Sequence, residues 1–203
     1  MLIRRQKQYG MSIIELMVVI AILAILLATA APSFSTWLQT SQIRTATETI
    51  VSGLQLARSE AVRRNASMRF QFTTTVDGGC ALNAAGPDWV VSQGDPSGRC
   101  GAAPSDDADL GVDARIKQVR PASEGTRNVV VAADAPLVTF SSLGQVTPPA
   151  TVTINVSNPA GGTCAAASGQ MRCLRVVVTP GGQVRMCDPA RTSTAANPDP
   201  QAC

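Results

Sequence analysis

Glu15 is a carboxylate set inside an apolar run, Met11 to Ala31, that carries no other charge. A charge at bilayer depth costs about 2.5–3.5 kcal/mol on insertion scales, so a carboxylate there reads as functional and in need of a partner. Six cysteines, Cys80, Cys100, Cys164, Cys173, Cys187 and Cys203, all lie beyond that run. An even count on an exported side favours disulfides, and six cysteines allow 15 connectivities among which the sequence does not choose. Proximity along the chain points to Cys80 with Cys100, Cys164 with Cys173, and Cys187 with Cys203. A zinc site is the rival reading, but histidine is absent and no Cys-x-x-Cys spacing occurs. Four arginines near the C-terminus, Arg172, Arg175, Arg185 and Arg191, have forks that match phosphate oxygens. Equally, strand alternation places such arginines on the solvent face of edge strands, where they guard against aggregation, and this is the favoured reading. Asp106-Asp107-Ala108-Asp109 gathers hard oxygens that suit calcium, yet lacks EF-hand spacing and reads first as a solvated loop. No metal and no cofactor are expected.

Catalysis has little to work with. Without histidine, an acid or base must be a carboxylate, lysine, cysteine or tyrosine. Lys117 is the one lysine beyond the first ten residues, and Tyr9 lies within them. No phosphate-cradling glycine loop or nucleophile elbow occurs. The chain is not expected to be an enzyme.

These residues need elements to position them. Met11 to Ala31 comprises 21 residues, enough for a helix of about 30 Å, the thickness of a bilayer core. A cleavable secretory signal would use Arg4, Arg5 and Lys7 as its basic end and Ala28-Thr29-Ala30 as its cut site, but Glu15 interrupts its apolar region. A plain signal anchor explains the basic flank and leaves Glu15 unexplained. Past Pro32, Ile43, Ala46, Ile50, Leu54, Ala57 and Ala61 recur at spacings of three and four, an amphipathic helix that runs to Asn65. Arg44, Glu48, Gln55 and Arg58 mark its other face, with Glu60 and Arg64 at a favourable i,i+4 separation. Pro32 inside this helix predicts a kink.

The period then changes to two at Met68, Phe70 and Phe72. Further strands are expected over 89–92, 128–132, 137–140, 151–156, 174–178 and 183–186. Thr179-Pro180-Gly181-Gly182 reads as a tight hairpin turn between the last two. Asp77 to Asp113, with seven aspartates and one arginine, reads as an exposed loop. The fold class is therefore α+β, one long helix laid on an antiparallel sheet. The domains are a leader at 1–10, an apolar helix at 11–32, an amphipathic helix at 33–65 and a β-rich head at 66–203. Removing Arg4, Arg5 and Lys7 leaves 14 basic side chains against 14 acidic ones, so a generally basic surface for nucleic acid is unsupported.

Gly10-Met-Ser-Ile-Ile-Glu15-Leu-Met-Val-Val-Ile-Ala-Ile-Leu-Ala-Ile-Leu26 resembles the N-terminal signature of type IV pilins and pseudopilins, with Met11 where phenylalanine is commonest and Ser12 where threonine is common. The resemblance implies that a prepilin peptidase cuts between Gly10 and Met11 and that the Met11 amine is methylated. It implies inner-membrane placement by a single span, the N-terminus cytoplasmic and the head periplasmic, and other pilin subunits as partners. Glu15 would then meet the Met11 amine during assembly. Leu54 to Asn65, Phe140 to Val146 and Val184 to Pro189 resemble the corresponding stretches of the FimT/GspH group of minor pilins and type II secretion pseudopilins. In its DNA-uptake members the group carries Gly-Arg-x-Arg, to which Gly182-Gln183-Val184-Arg185 corresponds with Gln183 replacing the first arginine. DNA is thus an admitted partner but not the favoured one.

Overall fold

The computed structural model describes residues 11–104 and 115–203, and within them all side chains except those of residues 28–33. Gly10, the Asp106-Asp107-Ala108-Asp109 cluster and the side chain of Pro32, with the kink expected there, lie outside the described residues. The chain divides into two compact units, one ending at Trp37 and the other running from Leu38 to Cys203.

Helix α1 covers Ile13–Arg64. Its start is set by Ser12, whose Oγ accepts the Glu15 backbone N–H at 3.2 Å, satisfying one of the donors that a helix N-terminus leaves open. Ser12-x-x-Glu15 is the capping-box spacing, and the carboxylate lies at the positive end of the helix dipole. At the other end Asn65 adopts a left-handed φ of 48°. Its N–H reaches the Val62 carbonyl and that of Ala66 reaches Ala61, the paired bonds of a Schellman stop.

In the second unit, the face of α1 made by Ile43, Ala46, Ile50, Leu54, Ala57 and Ala61 is buried. Burial of each large member stabilises by about 1.5–3 kcal/mol. It packs on two antiparallel four-stranded sheets. The first has the order β3-β2-β1-β5, built from β1 (Met68–Phe72), β2 (Trp89–Ser92), β3 (Ile116–Arg120) and β5 (Leu137–Phe140). The second has the order β4-β6-β7-β8, built from β4 (Val130–Ala133), β6 (Val152–Ser157), β7 (Leu174–Val178) and β8 (Val184–Cys187). The strands therefore split into two sheets instead of continuing as one. Alternation selects the core faces: Met68, Phe70 and Phe72 from β1, and Val152, Ile154 and Val156 from β6, join α1 in one apolar cluster.

Strand β3 falls where no strand was expected. Its Ile-Lys-Gln-Val-Arg sequence buries only Ile116, and an edge strand needs no alternating apolar face. Ile116 joins Cys80, Val90 and Cys100 in a small second cluster, into which the Asp77 to Asp113 stretch sends its two cysteines. Where α1 crosses the first sheet, a Cβ at Gly53 would lie 2.8 Å from both Phe70 and Trp89. Only a glycine lets the helix approach these rings, which stand 5.2 Å apart.

Candidate functional site

Glu15 sits in the first turn of α1 and Met11 two residues before its start, both solvent-exposed. From Ile13 to Leu27 every side chain is exposed, on all sides of the helix. Among the described residues no helix is long and apolar enough to cross a membrane. The apolar run with described side chains ends at Leu27, about 22 Å of helix from Ile13.

Two of the stretches singled out along the sequence, Leu54 to Asn65 and Phe140 to Val146, meet the hairpin turn Thr179 to Gly182 in space. Arg58 on α1 donates from Nε to the Gly144 carbonyl at 3.1 Å. Gly144, with a φ of 73°, closes the Ser141 turn through its N–H to the Ser141 carbonyl. The hairpin turn between β7 and β8 lies against it, the Val146 N–H reaching the Pro180 carbonyl at 2.9 Å. Gly182 ends that turn with its N–H on the Thr179 carbonyl and a φ of 79°. A Cβ on Gly182 would stand 1.8 Å from the Gly144 oxygen. Arg58 thus ties the helix to the Gly144 turn, and the Val146–Pro180 bond ties the chain just past that turn to the hairpin turn, far away in sequence.

The structure joins Cys80 to Cys100, Cys164 to Cys173, and Cys187 to Cys203. No free cysteine is left to ligate a metal. Among the described residues no group of three or more histidine, cysteine, aspartate or glutamate side chains is placed to hold a metal ion.

The four C-terminal arginines have different surroundings. Asp188, only 4% exposed, is the hub that the sequence reading missed. Its Oδ2 takes Arg172 Nε at 2.9 Å and stands 3.8 Å from Arg191 Nε, while its Oδ1 accepts the Ala190 N–H. Arg191 also pairs with Asp199 at 2.9 Å, and Arg172 with Gln201. A carboxylate so buried would be strongly unfavourable without those cations. Two of the arginines are therefore committed to holding the 188–203 tail against the head. Arg175 bonds Asn155 Oδ1 at 2.8 Å, and Arg185 contacts the Cys203 carbonyl at 3.5 Å. Arg175 faces Cys187 across the ladder and Arg185 faces Val177, so both lie on one sheet face. The signal for Asp188 was its place between Cys187 and Pro189, where aspartate favours a local turn.

At the end of α1, Glu60 receives Arg63 at 2.7 Å and Arg64 at 2.6 Å. The Arg63 hydrogen bond chiefly holds its carboxyl below the usual range, partly opposed by burial and reinforced by Arg64. Lys117 on β3 is pushed down, first by burial and then by repulsion from Arg64. A depressed carboxylate pKa stabilises the fold above the unfolded-state pKa and loses that contribution as pH falls through the folded-state pKa. Glu60→Gln will thus lower stability by about 0.5–1 kcal/mol near neutrality, Glu60 being mostly buried but Arg63 mostly exposed. Denaturant unfolding at a series of pH values will show parent and variant converging on acidification. A gap that persists in acid would sink this account.

An apolar helix with a carboxylate in its first turn, continued into a helix packed on antiparallel sheets, defines a pilin-like architecture. The prokaryotic N-terminal methylation motif matches residues 5–31. The family described as type II transport protein GspH matches residues 46–182, and the chain belongs to that family of type IV pilin-like proteins. Two crystal forms of the type IV minor pilin FimU from Pseudomonas aeruginosa are similar to it. One is 17% identical over 72% of this chain and 88% of that one with a TM-score of 0.48, the other 17% identical over 70% and 90% with a TM-score of 0.44. No curated protein matches the sequence.

Proposed function

We propose that the chain is a minor pilin or pseudopilin made with residues 1–10 as a leader. A prepilin peptidase cuts between Gly10 and Met11, and the new amine is methylated. Residues 11–32 hold the protein in the inner membrane with the head periplasmic, until other pilin subunits take it into a type IV pilus or a type II secretion pseudopilus. There the apolar helix packs in the filament core, and the head primes, caps or decorates the fibre. The observation that carries this reading is the family match over 46–182 together with the methylation motif over 5–31 on one chain. The exposure of Ile13 to Leu27 on all sides supports it, since such a surface needs lipid or neighbouring helices around it.

Deletion of the chain, followed by parallel assays of protein secretion, twitching and DNA uptake, tests the proposal. Loss of secretion alone assigns the pseudopilus, and loss of twitching assigns the pilus. Mass spectrometry of the mature protein should find Met11 first and methylated. Retention of all three activities, or a chain that keeps residues 1–10, would overturn the reading. The second reading, DNA binding in transformation, is supported by Arg175 and Arg185 sharing one sheet face. It is weakened by the engagement of Arg172 and Arg191 with Asp188. Loss of DNA uptake alone, with a steeply salt-dependent affinity for duplex DNA that Arg185→Ala removes, would decide for it.

A further inference from the structure

Phe34 and Trp37 lie one turn apart on α1 with their rings stacked, centroids 5.9 Å apart. Neither ring is covered: Phe34 is 61% exposed and Trp37 63%. Two large aromatics left in water are a cost that a folded chain normally avoids. Trp89, the other tryptophan, is 1% exposed in the head core.

Position along the helix identifies what covers the pair. From Ile13, the first residue of α1, to Trp37 the helix rises about 36 Å. A bilayer has a hydrocarbon core of about 30 Å and measures about 40–45 Å with its headgroups. With Ile13 at one boundary of the hydrocarbon, Trp37 falls in the opposite headgroup layer and Phe34 about one turn deeper. An indole suits that layer, because its apolar body meets acyl chains while its N–H meets water and headgroups. Gln39 to Gln42 are then the polar residues just outside, and Arg44 is the first cation after Lys7. Below it, Ile13 to Leu27 is exposed on every side, as a lipid-facing helix must be, and not along one stripe as in a two-helix contact.

We propose that the Phe34–Trp37 pair is an interfacial anchor that seats in the outer headgroup layer of the membrane and fixes where α1 leaves the bilayer before assembly. This rests on the reading of residues 11–32 as a membrane segment. The anchor works by position: a shift of one turn would bring Trp37 to the edge of the hydrocarbon or lift Phe34 to the outer edge of the headgroups.

The test uses the full chain reconstituted in phosphatidylethanolamine–phosphatidylglycerol vesicles whose acyl chains carry bromine at a shallow or a deep position. Fluorescence of Trp37→Phe subtracted from that of the parent isolates Trp37, and the substitution leaves the head untouched. The expected result is a blue-shifted Trp37 component that loses most of its intensity to shallow bromine, less to deep bromine and little to aqueous iodide. If the protein stays in the vesicles through an alkaline wash but Trp37 is quenched by iodide and not by bromine, the anchor is wrong and the membrane segment stands. Shielding from both quenchers would put Trp37 against another protein chain and also overturn the anchor. Release of the chain by the wash would remove the membrane segment itself, and the anchor with it.

Discussion

Gly182→Ala will destabilise the protein by about 2–5 kcal/mol, more than most single surface substitutions. Two physical costs combine. At a φ of 79° an L-side chain is strained by about 1–2 kcal/mol. The added Cβ would also stand 1.8 Å from the backbone oxygen of Gly144, which cannot swing aside as a flexible side chain can. That oxygen is held in place by Arg58 Nε, so relief for the turn would break the bond to the helix. A forced shift of this kind costs roughly 1–3 kcal/mol more. The neighbouring glycine supplies the control. A Cβ at Gly181 meets nothing nearer than Thr179 Oγ1 at 4.0 Å, so Gly181→Ala should stay near the parent. Denaturant unfolding of the purified full chain separates the two. Equal midpoints for the two variants would show that the junction is not the rigid contact described.

Glu15→Ala is expected to leave the protein in the membrane but to exclude it from filaments, with incorporation falling a hundredfold or more. In an apolar filament core the Met11 amine would lose its counterion, and breaking a buried ion pair costs about 3–5 kcal/mol. The helix start should survive, because Ser12 Oγ binds the backbone N–H of residue 15 and not its carboxylate. Glu15→Gln makes the distinction sharper, keeping size and hydrogen-bonding shape while removing the charge. Immunoblots of sheared filaments against membrane fractions give the readout. Filaments that contain either variant at the parental level would end the docking role.

Features that depend on near neighbours in the chain were legible in advance. The apolar residues at spacings of three and four from Ile43 to Ala61 need only a helix to form one face, and all six are buried. Leu137 to Phe140 and Leu174 to Val178 carry β-branched and aromatic residues between turn signals, and both are strands over those spans. What escaped depends on distant partners. Whether strands join one sheet or two is decided by pairings such as Val131 with Val156, which leave no local trace. Strand β3 is held by Trp89 and Val90 across the ladder, not by a pattern of its own. Asp188 looks like an ordinary turn residue until Arg172 arrives from 16 residues upstream. Ser12-x-x-Glu15 has capping-box spacing, a local role for these two residues that the charge of Glu15 in an apolar run does not itself signal.

Each of the three disulfides joins a cysteine to the next one along the chain, across separations of 20, 9 and 16 residues. When a chain emerges N-terminus first, an oxidant that links cysteines in order of appearance makes Cys80–Cys100 before Cys164 exists outside, and so on to Cys203. Sequential oxidation and native pairing then coincide. If the head is exported as proposed, nothing would have to be reshuffled, because native pairing follows chain order.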